Sequence, residues 1–380
     1  MLDFNFKNPT EILFGKGKIA KIASRIPKDA VVLLVLGGGS VKRNGVYDQV
    51  TAALKGRRVV EFSGVEPNPL YETCMRAVDL ARKEGVGFVL AVGGGSVMDA
   101  SKFIAAAAVY EGPEPWDILR SCGAGLRGAL PLGAVVTLPA TGSEMNCGAV
   151  ISRKATGEKL FFNSPHVFPA FSVLDPQVTY SLPAKQVRNG VVDAYVHVVE
   201  QYVTYPCAAP VQDRFSESLL QTLLEVGPRT LAYPEDYAAR ASFMWCATLA
   251  LNTLIGAGVP QDWATHMIGH ELTAFYGLDH AESLAVALPG VWNHCFEAKK
   301  AKLSQYGLRV FGDSDPRAAV SRTEDFFRSL GMATRLKDYK IDAEDAARRV
   351  GARFTERGTR LGEREDLDAQ AVAAILRSRA

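Results

Sequence analysis

Short runs of consecutive apolar residues alternate with amphipathic stretches through the first half of the chain. "AVVLLVL" (30–36), "RVVEF" (58–62) and "GFVLAV" (87–92) are rich in β-branched residues and read as buried strands. Between and after them, 46–54, 69–85 and 97–109 carry helical patterns. "GAVVTL" (133–138) and "FSVLD" (171–175) are later strands of the same kind. Continuous apolar strands alternating with helices predict a parallel sheet covered on both faces. From Pro183 onward the pattern changes. The stretches 184–204, 213–226 and 236–255 repeat apolar residues at intervals of three and four, and no strand follows. Further helices are predicted near 262–275, 316–330, 342–355 and 366–378. The expected organisation is an α/β domain over 1–180 and an all-α domain over 181–380. The crossing is "LDPQVTYSLP" (174–183), punctuated by two prolines.

Two turns between a buried strand and a helix are glycine-rich: "LGGGSVKRNG" (36–45) and "VGGGSVMDASK" (92–102). Glycines let the backbone approach a ligand closely. The following helix aims its free N–H groups and positive dipole end at the loop, which makes an anion site suited to phosphate. Gly37, Gly38, Gly39 and Ser40 in the first loop, and Gly94, Gly95, Ser96 and Asp99 in the second, are the candidate cofactor contacts. Ser96 also suits an N-cap, with Asp99 three residues on as in a capping box. Neither loop is GxGxxG or GxxxxGK[ST]. Glycine in one tight turn is common for steric reasons alone; two GGGS turns in one sheet favour a nucleotide. The first loop has Lys42 and Arg43 and no carboxylate, so it would accept a 2′-phosphate where an aspartate would bond a free ribose diol. Solvated surface cations are the plainer reading of that pair.

Composition narrows the partners. The formal net charge of +2 speaks against nucleic acid or an anionic membrane as the ligand. No apolar run approaches a membrane span, and the first fifteen residues do not read as a secretory signal. The six cysteines are dispersed with no CxxC, which predicts reduced thiols in a cytoplasmic protein.

Histidine is scarce, yet three of the six lie in "HMIGHELTAFYGLDH" (266–280). Metal ligands, catalytic acids and chance all remain open until their partners are considered. "DAYVH" puts Asp193 and His197 on one face of a helix, and His266 and His270 share a face of another. His280 can meet His266 only if the chain reverses, and Gly277 offers the helix stop. Asp193, His197, His266 and His280 can then converge on one metal. A catalytic metal needs an open position, so His270 is read as a neighbour and not a ligand. A lone buried histidine is more often a hydrogen-bonded core residue, as His166 and His294 are taken to be. "HMIGHE" is not the HExxH of a zincin.

At this point the chain resembles the iron-containing (group III) alcohol dehydrogenases, and within them the NADPH-dependent aldehyde reductase and butanol dehydrogenase subgroup. The resemblance runs from "PTEILFGKGKI" (9–19) to the C-terminal helices. It is carried by "GGGSVMDASK" (93–102), "TLPATGSE" (137–144), "GVVDAYVHVVEQYVT" (190–204) and "GHELTAFYGLDH" (269–280). It implies a Rossmann-like α/β domain of the dehydroquinate synthase kind, a helical domain, a homodimer, and one divalent metal on Asp193, His197, His266 and His280. By matching position, His270 is the non-ligand histidine beside the nicotinamide, and Asn68, Lys159, Thr137 and Thr141 contact the cofactor. Two departures matter. NAD-preferring members carry an aspartate at the position of Gly39, which favours NADP(H) here. The family's "TTAGT" reads "TLPAT", so Leu138 joins the candidate contacts while Pro139 lacks a backbone donor.

The expected reaction is hydride transfer between NADP(H) and a short-chain aldehyde or primary alcohol, with the metal as Lewis acid and His270 relaying a proton through water. Iron and zinc suit the ligands, and nickel and manganese are compatible. Rival readings are an NAD-dependent polyol dehydrogenase of the glycerol type, a metal- and NAD-dependent lyase of the dehydroquinate synthase type, and a non-enzymatic NADPH sensor. The lyase would need basic residues around its metal, and 262–280 contains no Lys or Arg.

Overall fold

The computed structural model describes every residue from Met1 to Ala380. The chain forms two compact units. One comprises 7–182 and 234–248; the other comprises 1–6, 183–233 and 249–380.

The first unit is built on a sheet of six strands: β1 (Glu11–Phe14), β2 (Val31–Leu36), β3 (Val59–Phe62), β4 (Val86–Gly93), β5 (Leu132–Val136) and the last strand of the chain, Phe171–Leu174. Between β5 and that last strand lies an antiparallel hairpin of β6 (Gly148–Arg153) and β7 (Glu158–Asn163), which makes Phe171–Leu174 β8. The six-stranded order is β1-β8-β5-β4-β2-β3, and all pairs are parallel. Alternation along β2 explains why its sequence is apolar throughout. Leu33 and Val35 belong to the core on one face, with Ala77 and Val78 of α3 (Tyr71–Glu84) and Phe103 of α4 (Gly95–Ala108). Val32, Leu34 and Leu36 belong to the other, with Val46 and Val50 of α2 (Val46–Ala53) and Ile19 and Ile22 of a 3-10 helix. Two single-turn helices, α1 (Ser40–Arg43) and α5 (Asp117–Arg120), complete the sequential part of this unit. From β2 the chain steps outward to β3, then returns across β2 to β4 and continues away. The order therefore reverses between β2 and β4, the point where open α/β sheets bind ligands beyond their carboxyl ends. Both glycine loops leave the sheet there.

The second unit is helical: α6 (Ala184–Tyr202), α7 (Pro210–Ala232), α9 (Ala264–Tyr276), α10 (His280–His294), α11 (Phe296–Tyr306), α12 (Pro316–Ser329), α13 (Ala343–Arg357) and α14 (Ala369–Arg377). The helix between, α8 (Tyr237–Ala250), groups up to Thr248 with the sheet. Ile268 and Leu272 of α9, Val286 and Val291 of α10, Val350 and Phe354 of α13 and Ile375 of α14 share one apolar core. No helix of the protein is long and apolar enough to cross a membrane.

Candidate active site

In the helical unit, α6 is buried almost without interruption from Gly190 to Tyr202, and Asp193 and His197 stand one turn apart on it. α9 starts after Trp263, a bulky residue held at φ 63°, and carries His266 and His270 one turn apart. Gly277 ends α9 at φ 72°, and the Glu282 side chain accepts the Asp279 N–H at 3.0 Å to start α10 at His280. The chain thus reverses within three residues. Lys185 of α6 bonds Asp279 at 2.8 Å and Glu282 at 3.2 Å, and Asn189 Nδ2 donates to Asp279, so the turn is fastened to α6.

These pieces bring three imidazoles around one carboxylate oxygen. His197 Nδ1, His266 Nε2 and His280 Nε2 lie 3.6, 3.7 and 3.6 Å from Asp193 Oδ1. Tetrahedral ligands at 2.0–2.2 Å from a cation stand about 3.4 Å apart, so the spacing fits. Asp193, His266 and His280 form the tightest set, with ligand atoms all within 4.8 Å of one another. His197 stacks on His266 with ring centroids 4.6 Å apart. His270 stands beside the set, its ring 5.4 Å from that of His280 and 6.4 Å from that of His266.

Two of the polar atoms decide what this arrangement suits. Asp193 Oδ1 and His266 Nε2 are buried with no hydrogen-bond partner. Buried polar atoms are ordinarily satisfied, and a cation between them would satisfy both. Burial works against the charge of Asp193, yet His197, His266 and His280 outweigh it and hold the carboxyl well below the usual range. Burial opposes a charge on His266 as well, but Glu200 and Asp193 raise that imidazole to about 9. Glu200 was not singled out in the sequence. It lies seven residues after Asp193, on the same face of α6, and that spacing was the available signal.

In the α/β unit, the glycines have individual steric reasons. Gly39 sits at φ 93°, a conformation that side chains resist. A Cβ on Gly95 would come within 2.5 Å of Thr141 Cγ2, and one on Gly94 within 3.1 Å of Leu138 Cβ. The 137–141 segment therefore lies directly on the second glycine loop, and Thr137 N–H donates to the Gly93 carbonyl at 2.9 Å. Asn68, at φ 56°, accepts from Lys159 Nζ at 2.9 Å through its side chain, and its own N–H donates to Ser96 Oγ at 3.3 Å. The link exists because Pro69 and Leu70 run alongside Ser152 of β6, which pairs with Lys159 of β7.

The N-cap expected at Ser96 is corrected. α4 begins two residues earlier, at Gly95, with Gly94 as its cap and no capping side chain. The 137–141 segment leaves little room for a side chain at Gly94 and none at Gly95, and Ser96 becomes a second-position residue facing Asn68. Asp99 accepts from Ser143 Oγ at 2.8 Å and from the Val150 N–H at 2.9 Å, so both oxygens are engaged within the unit. Beside it the fully buried Lys102, also missed in the sequence, donates to Ser143 Oγ, Asn146 Oδ1 and the Gly148 carbonyl, each at 2.8 Å. Burial lowers Lys102 to about 8. In the first loop, Lys42 pairs with Glu61 at 2.6 Å. Gly37, Gly38 and Ser40 lie between β2 and that pair, and Arg43 Nη1 is 3.9 Å from where a Cβ on Gly39 would stand.

Known proteins match both units. The family model described as iron-containing alcohol dehydrogenase covers residues 9–176, and the one for the C-terminal part of that family covers 188–380. The chain is 57% identical over 375 residues to the NADPH-dependent aldehyde reductase YqhD of Escherichia coli (strain K12), covering 97% of each. The crystal structure of E. coli K-12 YqhD superposes with a TM-score of 0.98 at 55% identity, over 100% of this chain and 99% of that one. That of an NADH-dependent butanol dehydrogenase A from Thermotoga maritima gives 0.95 at 36% identity, over 100% and 99%. With a parallel sheet that reverses between two glycine loops, and three histidines gathered on Asp193, the chain belongs to the iron-containing alcohol dehydrogenase family.

Proposed function

We propose that the protein is an oxidoreductase that reduces short-chain aldehydes to primary alcohols with NADPH, and catalyses the reverse with NADP+. The observation that carries this reading is the convergence of His197, His266 and His280 on one oxygen of Asp193. These four hold one divalent metal, iron or zinc, and the donor set also accommodates nickel or manganese. When bound, the metal polarises the substrate carbonyl and the dinucleotide supplies the hydride.

The chain's own residues position these partners. Gly37, Gly38, Gly39, Ser40, Gly94, Gly95 and Ser96 accept the dinucleotide at the sheet's switch point. Thr137, Leu138, Thr141 and Asp99 shape or brace the segment against the second loop, while Lys159 and Asn68 reach the cofactor as one hydrogen-bonded pair. His270 holds a proton near the alcohol oxygen and passes it through water. The relatives include NADPH- and NADH-named enzymes, so family membership leaves the cofactor open. The absence of a carboxylate at Gly39, with Arg43 nearby, supports NADPH. In this reading the enzyme works as a homodimer in the cytoplasm. Six free cysteines suit a reducing compartment, and the exposed Met1, Leu2, Phe4 and Phe6 suit burial against a second copy.

The test is steady-state oxidation of NADPH and of NADH with a panel of short aldehydes, with metal content measured on the same sample. Turnover of aldehydes by a sample carrying about one metal per chain is expected; NADPH binding without turnover of any aldehyde or alcohol would overturn the reading.

A further inference from the structure

Glu200 is a carboxylate only 2% exposed. Its Oε1 accepts the Thr265 N–H at 2.7 Å, and its Oε2 faces His266 Nδ1 within hydrogen-bond reach. The Glu200 carbonyl also accepts the Asp262 N–H at 2.9 Å. The approach to α9 is therefore held on this one residue of α6 by its backbone, and the first turn of α9 by both carboxylate oxygens. An imidazole has two nitrogens, and in its neutral form only one carries the proton. A carboxylate at Nδ1 keeps the proton there. In that neutral form, the one a cation takes as ligand, Nε2 is the nitrogen with the lone pair, and it stands 3.7 Å from Asp193 Oδ1.

We propose that Glu200 is the positioning residue of the metal centre. It fixes the tautomer and the ring plane of His266 so that Nε2 is presented to the cation, and it is not itself a ligand. This rests on the reading of Asp193, His197, His266 and His280 as metal ligands. Carboxylate partners of ligating histidines raise ligand basicity and orient the ring, and their loss typically costs ~10–100-fold in metal affinity.

Glu200→Gln separates positioning from mere anchoring. Its amide oxygen can still accept the Thr265 N–H, so the start of α9 stays tied. Its NH2 group would face His266 Nδ1 and donate to it, which forces the ring proton onto Nε2, the wrong nitrogen for ligation. The experiment uses the full-length protein stripped of metal and titrated with Zn2+ alone against a chromogenic chelator. Parent, Glu200→Gln, Glu200→Asp and His266→Ala are compared. For each, the rise in melting temperature on adding zinc is read against its own metal-free form, which keeps metal binding distinct from folding.

The parent is expected to bind one zinc and His266→Ala to lose it. Glu200→Gln should bind ~10–100-fold more weakly, with a smaller zinc-induced rise, and Glu200→Asp should recover part of both. Loss of zinc in His266→Ala with parent-like affinity in Glu200→Gln would overturn the role of Glu200 alone. So would a Glu200→Asp variant no better than Glu200→Gln. A parent that binds no zinc, or a His266→Ala variant that binds it as tightly as the parent, would overturn the metal reading and this inference together.

Discussion

His266 and His270 share a face of α9 yet are expected to behave differently. His266 Nε2 is a buried atom with no protein partner, aimed at Asp193; the His270 ring stands outside that contact set. His266→Ala or Asp193→Ala should therefore remove bound metal and lower turnover by roughly three orders of magnitude or more, because a Lewis acid supplies several kcal/mol and each 1.36 kcal/mol is tenfold. His270→Ala should keep metal and lose part of the activity. Elemental analysis beside turnover checks both, and metal loss in His270→Ala equal to that in His266→Ala would move His270 into the ligand set. Cofactor choice also sits on single residues. Lys42 is held by Glu61, whose carboxyl that bond, with those of Tyr47 and Ser63, brings down to about 2 against the effect of burial. Arg43 is the cation nearer Gly39. We expect at least a roughly tenfold preference for NADPH in kcat/KM, since ~1.4 kcal/mol is tenfold. Gly39→Asp should erase or reverse it, because the new carboxylate repels a 2′-phosphate and pairs with Arg43. The two ratios, measured at one ionic strength because exposed charges are screened, decide; an unchanged ratio would place selection elsewhere.

At the scale of elements, the turn between α9 and α10 is the piece on which the site depends. Gly277 stands in open space at φ 72°, so a larger residue there meets backbone strain and no clash. Gly277→Val should cost about 1–2 kcal/mol, and Gly277→Asn distinctly less. The valine should also speed metal release, since the turn delivers His280. Denaturant midpoints and chelator-driven release rates check this, and equal release from both variants would separate the turn from the site. The same stretch shows what could be read beforehand. The buried strands β2, β4 and β5 were legible because each is apolar on both faces. So were α6 and α9, whose periodicity placed Asp193 with His197 and His266 with His270. α10 was not: Ala281 and the run from Ser283 to Trp292 are buried on every side, which leaves no polar stripe to mark a period, and Pro289 interrupts it. The β6–β7 hairpin was missed for the opposite reason, being half polar with Lys159 and Glu158 in its second strand. Without it, nothing in the sequence brings Asn68 to Lys159. Glu200 and Lys102 were overlooked because a buried charge is invisible until its partner is seen.

For the whole molecule, the residues proposed to contact the dinucleotide belong to one unit and the proposed metal ligands to the other, so each ligand should stabilise chiefly the unit that holds its contacts. A ligand that binds only the folded form adds about 2.7 kcal/mol at a hundredfold excess over its Kd. Hydrogen exchange should show zinc slowing amides in 183–233 and 249–380, and NADPH slowing those in 7–182. Protection of the glycine loops by zinc alone, as strong as that by NADPH, would contradict this division. The first of those loops also constrains how such a scaffold can diverge. At φ 93° and ψ 4°, position 39 accepts glycine freely and strains other residues, with asparagine and aspartate among the least penalised. Glycine and aspartate codons can differ by a single base. A lineage with this backbone is thus confined to a very small alphabet at the residue proposed to sense the 2′-phosphate, and within that alphabet the carboxylate is one mutational step away. Under the proposed reading, exchange of one dinucleotide for the other is then an evolutionarily near event that leaves the sheet, its reversal and the proposed metal ligands untouched.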